Sequence, residues 1–283
     1  MPIGVHTSTA GGISRSVARA TELECTTMQV FVSSPRTWKA DALKDSEVRD
    51  FKKFRKEAEL APIVVHTSYL INLATPSEEA YEKSKKLFTD ELRIAKEIKA
   101  EYIVTHPGSF HDEDEKFGIK RVAMALMESA KSIKGKLPVI LIENTAGGGT
   151  QIGGKLSNIG KIIKASKGVR VGLCYDTCHG FAAGYPFNTK KDGLKLISEI
   201  DEGVGLKNLK VIHLNDSKGE CGSKVDRHEH LGKGKLGGAA MASFLSDKRV
   251  REIPLILETP KSDDDADTRN LKEARKLQRS KKK

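Results

Sequence analysis

The chain comprises 283 residues, 38% of them hydrophobic and 31% charged, with a formal net charge of +11. That length and balance support one large apolar core and exclude a disordered polyelectrolyte, while four cysteines are too few to staple a domain of this size. No signal segment precedes the first apolar run and no run approaches the roughly 18 residues of a membrane span, so a cytoplasmic protein without a membrane partner is expected, with reduced thiols at Cys25, Cys174, Cys178 and Cys221.

Short Val- and Ile-rich runs open at residues 3–5 and 28–32. Helical spacing over 47–60 leads to a run at 63–65, and a longer helical segment over 78–99 leads to 102–104. The alternation continues with 119–134 before 139–142, 158–165 before 171–175, 193–201 before 211–214, and 239–245 before 254–257. Near-continuous apolar strands alternating with amphipathic helices imply an α/β fold with a parallel sheet covered by helices. Eight such units in a chain of this length are most economically closed into a single-domain (β/α)₈ TIM barrel over residues 1–270, with its site at the C-terminal ends of the strands. An open doubly wound sheet would also place ligands beyond its strand ends. Residues 272–283 hold seven basic side chains and one acid, and a basic, flexible C-terminal tail is expected over 271–283.

Nine potential metal ligands fall on or just after the ends of these runs: His66, His106, Glu143, Asp176, His179, His213, Asp226, His228 and Glu258. A buried strand that ends in imidazole or carboxylate carries a desolvation cost of several kcal/mol unless a cation or partner compensates it. Histidine and carboxylate without thiolate suit Zn²⁺ or Mn²⁺, and nine donors exceed the roughly four that one zinc takes. Two or three ions are implied, and clustered divalent ions suit hydrolysis of a phosphodiester. Asn144 and Asn215 stand beside ligands as donors, and His6 ends the first strand near where a phosphate would lie. His111 and His230 sit in loops and are expected to do no chemistry, Gly147–Gly149 reads as a turn, and Trp38 as a packing residue. On residue types alone, two other functions stay open: a sugar isomerase or epimerase with fewer metals, and a non-catalytic nucleic-acid binder that uses the basic tail.

Nine segments, in order, carry a resemblance: GVHTSTAGG (4–12), QVFVSSPRTW (29–38), HTSYLINL (66–73), HPGS (106–109), LIENTAG (141–147), YDTCH (175–179), VIHLNDS (211–217), VDRHEH (225–230) and ILETP (256–260). Together they resemble the endonuclease IV type of apurinic/apyrimidinic (AP) endonuclease, a zinc-dependent family on the xylose-isomerase-like TIM barrel. The resemblance implies a base-excision-repair phosphodiester hydrolase of the deoxyribonuclease IV (phage-T4-induced) class. Such an enzyme cleaves DNA 5′ of an abasic site with a hydroxide held in a multi-zinc centre, leaves a 3′-hydroxyl, and also trims blocked 3′ ends. Carried onto this chain, it implies three Zn²⁺, with Mn²⁺ an option at one site: His66 and His106 on the first, Asp176, His213 and Glu258 on the second, and His179, Asp226 and His228 on the third. Glu143 would bridge two ions and act as the catalytic residue. Arg36, Tyr69 and Leu70 would insert into double-stranded DNA at the abasic site. Because that lesion is asymmetric, a monomer is expected. One departure is Lys233, where the family commonly has an acid after Leu231-Gly232.

Overall fold

A computed structural model describes residues 1–279. In chain order its strands are β1 (Ile3–Val5), β2 (Met28–Phe31), β3 (Ile63–His66), β4 (Tyr102–Thr105), β5 (Val139–Glu143), β6 (Val171–Asp176), β7 (Leu209–His213), β8 (Asp216–Ser217), β9 (His228–Glu229) and β10 (Leu255–Leu257). Eight of them form one parallel sheet in the order β1-β10-β7-β6-β5-β4-β3-β2, while β8 and β9 pair antiparallel as a separate ribbon. The sheet curls until β1 and β2 meet, where His6 bridges Gln29 and the Thr7 N–H donates to the Gln29 carbonyl at 2.7 Å. This seam makes the sheet the expected (β/α)₈ barrel in one domain and rules out an open sheet.

The helices are α1 (Ile13–Glu22), α2 (Asp45–Glu57), α3 (Glu78–Glu97), α4 (Glu115–Lys131), α5 (Leu156–Ala165), α6 (Thr177–Ala183), α7 (Lys190–Gly203), α8 (Gly238–Ser246) and α9 (Ala266–Arg279). Side-chain oxygens of Ser77, Asp114 and Thr189 accept from the first turns of α3, α4 and α7, which fixes where these helices begin. None of the described helices is long and apolar enough to cross a membrane.

Period-two alternation along the strands separates two apolar regions. Ile63, Val65, Ile103, Ile140, Ile142 and Ile212 face outward into the main core beneath the helices. Val64, Val104, Leu141, Cys174, Val211 and Ile256 form a second cluster that fills the barrel interior. The barrel is thus a packed plug, and anything reactive must sit at its rim.

The segment expected as a flexible tail from residue 271 is, as far as Arg279, part of α9. Leu271, Ala274 and Leu277 recur every third residue, lie on one helical face and are buried, with α9 packed on β1, β10 and α8. Asn270 on the same helix accepts the Leu231 N–H at 3.0 Å, and Arg275 donates to the Glu24 carbonyl at 2.7 Å. The basic side chains therefore decorate a docked helix. Residues 280–283 of the expected tail lie outside the described residues.

Candidate metal centre

The interior cluster sets the site through strand geometry alone. Side chains two apart on a strand face the same way, so the residue two beyond each interior apolar residue emerges into the barrel mouth. Val64 leads to His66, Val104 to His106, Leu141 to Glu143, Cys174 to Asp176, Val211 to His213 and Ile256 to Glu258. Six strand ends therefore converge on one polar layer. The remaining three predicted ligands come from outside the barrel sheet: His179 from α6, Asp226 from the segment before β9, and His228 from the first position of β9.

Donor atoms of these nine residues gather into three groups, each with its atoms within 4.8 Å of one another: His66, His106 and Glu143; Glu143, Asp176, His213 and Glu258; and His179, Asp226 and His228. Glu143 belongs to the first two. Its fully buried carboxylate turns Oε2 toward His66 Nε2 at 3.1 Å and His106 Nε2 at 3.0 Å. Its Oε1 lies 3.1 Å from His213 Nδ1 and 3.2 Å from His179 Nδ1. In the third group, Asp226 Oδ1 is 3.1 Å from His179 Nε2 and 3.5 Å from His228 Nε2.

Hydrogen bonds on the far side of each ring fix which nitrogen is left bare. His66 Nδ1 donates to the Thr67 carbonyl at 2.8 Å, His179 Nδ1 to the Asn144 carbonyl at 3.0 Å and His228 Nδ1 to the Glu258 carbonyl at 3.0 Å. His213 Nε2 donates to Gln29 Oε1 at 2.8 Å. In each neutral ring the other nitrogen then presents a lone pair inward, and those of His179 and His228 face each other across 3.4 Å. Lone pairs opposed to one another and to carboxylates repel unless a positive charge lies among them. The donor set and its tautomers therefore fit divalent cations, which would replace protons in that role.

The titration behaviour says the same. Burial works against the charge on Glu143, yet His106 and His213 outweigh it and hold its carboxyl well below the usual range. Glu258, also opposed by burial, is held well below that range by His213. Burial would lower the imidazoles, but Asp176, Asp226 and Glu143 lift His179 well above its ordinary value, and Cys174, Glu258 and Glu143 do so for His213. Cys178 comes within reach of Asp176 and His228, but burial pushes its thiol up to about 12 and its Sγ lies 3.7 Å from the Arg227 carbonyl, so it is a poor ligand.

A surrounding layer holds the ligands. Asn215 Nδ2 donates to Asp176 Oδ2 at 2.6 Å while its Oδ1 accepts the Glu258 N–H at 2.8 Å. Asn144 Oδ1 accepts the Asp176 N–H at 2.7 Å, and its Nδ2 donates to the Asp176 carbonyl. Gln29, which the sequence reasoning missed, is fully buried and donates to Glu258 Oε1 at 2.6 Å while accepting from His213. A glutamine inside an otherwise apolar strand was the signal. His6 stands 3.7 Å from Glu258 Oε1, at the edge of the centre. His230 instead contacts Asn270 and Ser262, and His111 is exposed beside Asn72, both away from the ligands.

At the rim, Tyr69 is 65% exposed beside the centre, its ring 5.9 Å from that of His66, with Leu70 half-buried next to it. Arg36 is exposed on the loop after β2. Trp38, expected to pack, is 49% exposed on that same loop. Lys233 is exposed on a loop whose N–H groups at Gly232, Gly234 and Leu236 all donate to the Asp216 carboxylate.

A model of the xylose isomerase-like TIM barrel family matches residues 17–281 of the chain. A protein from Halothermothrix orenii named probable endonuclease 4 is 41% identical over 263 residues, spanning 92% of this chain and 94% of its own. The crystal structure of endonuclease IV from Thermus thermophilus shares the fold with a TM-score of 0.88 at 36% identity, covering 98% of each chain. A D-tagatose 3-epimerase-like protein reaches a TM-score of 0.72 at 18% identity, also over 98% of each chain, a likeness of architecture alone.

Proposed function

Because the chain belongs to the endonuclease 4 family of xylose isomerase-like TIM barrels, we propose that it is a DNA-repair endonuclease that hydrolyses the phosphodiester bond 5′ of abasic sites and leaves a 3′-hydroxyl. On this reading the same centre clears blocked 3′ ends, acting as a monomer on double-stranded DNA in the cytoplasm. The observation that carries it is Glu143, one buried carboxylate whose two oxygens each face a different ligand group.

Three divalent cations, zinc with manganese as an option at one position, would supply Lewis acidity that activates a water and stabilises the attacking and departing oxygens. His66 and His106 would hold one, Asp176, His213 and Glu258 a second, and His179, Asp226 and His228 the third. Glu143 would fix the spacing of the first two groups and take the proton of the attacking water. Gln29 and Asn215 keep the ligands aimed, so little reorganisation accompanies the reaction. Arg36, Tyr69 and Leu70 on the rim would enter the duplex, and a nucleotide without its base costs less than an intact one to turn out of the stack.

The test is a duplex carrying one abasic analogue. Zinc-loaded protein should nick it on the 5′ side, chelation should abolish nicking, and zinc and manganese should be added back separately. Glu143→Gln should fold and lose at least roughly a thousandfold in rate. Metal analysis should return about three ions per chain, whereas about one per chain with an intact lesion would point to sugar chemistry.

A further inference from the structure

Glu91 lies on α3, outside the barrel, yet the residue is only 1% exposed. Among the described residues it forms no ion pair. Burial pushes its carboxyl up to about 7, so the fold carries a cost for placing an acid here. The partners of this acid belong to the loops that follow two neighbouring strands. Ser33 Oγ, after β2, donates to Glu91 Oε1. The Ser68 N–H, after β3, donates to both oxygens, at 3.1 and 3.3 Å. Ser68 then closes the circuit, since its Oγ donates to the Pro35 carbonyl at 2.9 Å and accepts the Leu70 N–H at 3.3 Å.

Ser33 and Pro35 are the root of the loop that presents Arg36, and Ser68 is the root of the loop that presents Tyr69 and Leu70. Neither loop root is fastened by strand pairing, because β2 stops at Phe31 and β3 at His66. The two loops are therefore joined to each other and to one anchor on a rigid helix. We infer that Glu91 is a positioning residue that locks the Arg36 loop and the Tyr69–Leu70 loop into a single wedge, and so sets discrimination between lesion and intact duplex without touching DNA or the ligand groups. This rests on the proposed function for its meaning in recognition, but the coupling of the loops can be read without any DNA.

The experiment compares Glu91→Ala, Glu91→Gln and Ser33→Ala in the zinc-loaded protein. Glutamine can keep both links, accepting from Ser68 with its oxygen and donating to Ser33 with its amide. In hydrogen exchange without DNA, Glu91→Ala should raise exchange over residues 33–38 and 67–73 together, Ser33→Ala over 33–38 alone, and Glu91→Gln over neither. With an abasic-analogue duplex, Glu91→Ala should raise KM and lower the lesion-to-intact affinity ratio by at least about tenfold, with kcat within about threefold and metal content unchanged. Glu91→Gln should restore both. Unchanged exchange in Glu91→Ala, equal loss in the Ala and Gln variants, or a fall in kcat with KM unaltered would overturn the assignment. Should Glu91→Ala fail to fold, the single-loop pattern of Ser33→Ala against Glu91→Gln decides it. Wild-type protein that ignores lesion DNA would sink the proposed function while leaving the exchange result standing.

Discussion

Gln29 has no chemistry of its own, yet it holds the tautomer of His213 and one oxygen of Glu258. A charged side chain is not needed for this; an amide serves because it donates on one side and accepts on the other. Gln29→Leu should keep the fold and lower metal affinity roughly 10- to 100-fold, measured by competition with a chromophoric chelator. Glu91 makes a pH prediction. Its folded value of about 7 lies above the ordinary 4.5, so between those values the folded protein keeps a proton that the unfolded chain has released. Its contribution to stability is therefore full below pH 4.5 and falls as pH rises toward 7. In chelated protein, the Tm of Glu91→Gln relative to wild type should climb from about pH 5 to about pH 7.5, and a gap independent of pH would contradict the assignment. Six of the nine ligands are legible because they end apolar runs, which is a visible anomaly, and His179, Asp226 and His228 because each stands beside another carboxylate or imidazole in a short polar segment. Gln29 and Glu91 are not, since a lone polar residue within a strand or on the Phe88-Leu92 face of α3 is outweighed by its apolar neighbours.

At the level of elements, all eight barrel strands could be placed from apolar runs, whereas three helices could not. In α1, Ile13, Val17 and Ala20 are buried at helical spacing, but the stripe is short. Helix α6 spans seven residues and all but Ala183 are buried, so it has no polar face to betray a period. In α9 the basic side chains outnumber the apolar stripe of Leu271, Ala274 and Leu277 and mask its period. This difference can be tested, because Leu271 is 1% exposed. Leu271→Ala should cost about 2–4 kcal/mol in denaturant unfolding, whereas a loose tail would register nothing.

Across the whole molecule, the interior plug carries six ligands to one level, and a single buried carboxylate stands between two of the groups. Closure of the barrel could be foreseen from the number of units, but the convergence of α6 and the segment entering β9 onto the third group depends on chain paths that no local pattern encodes. The shared position of Glu143 has a consequence for how the centre fills. An ion held by His66 and His106 would fix the plane of that carboxylate through Oε2 and so aim Oε1 at the next group before any second ion arrives. Ordering is then paid once for two binding events, which makes uptake cooperative. Graded zinc titration followed by native mass spectrometry should show few singly loaded chains, with a Hill slope above one that falls to one in Glu143→Gln.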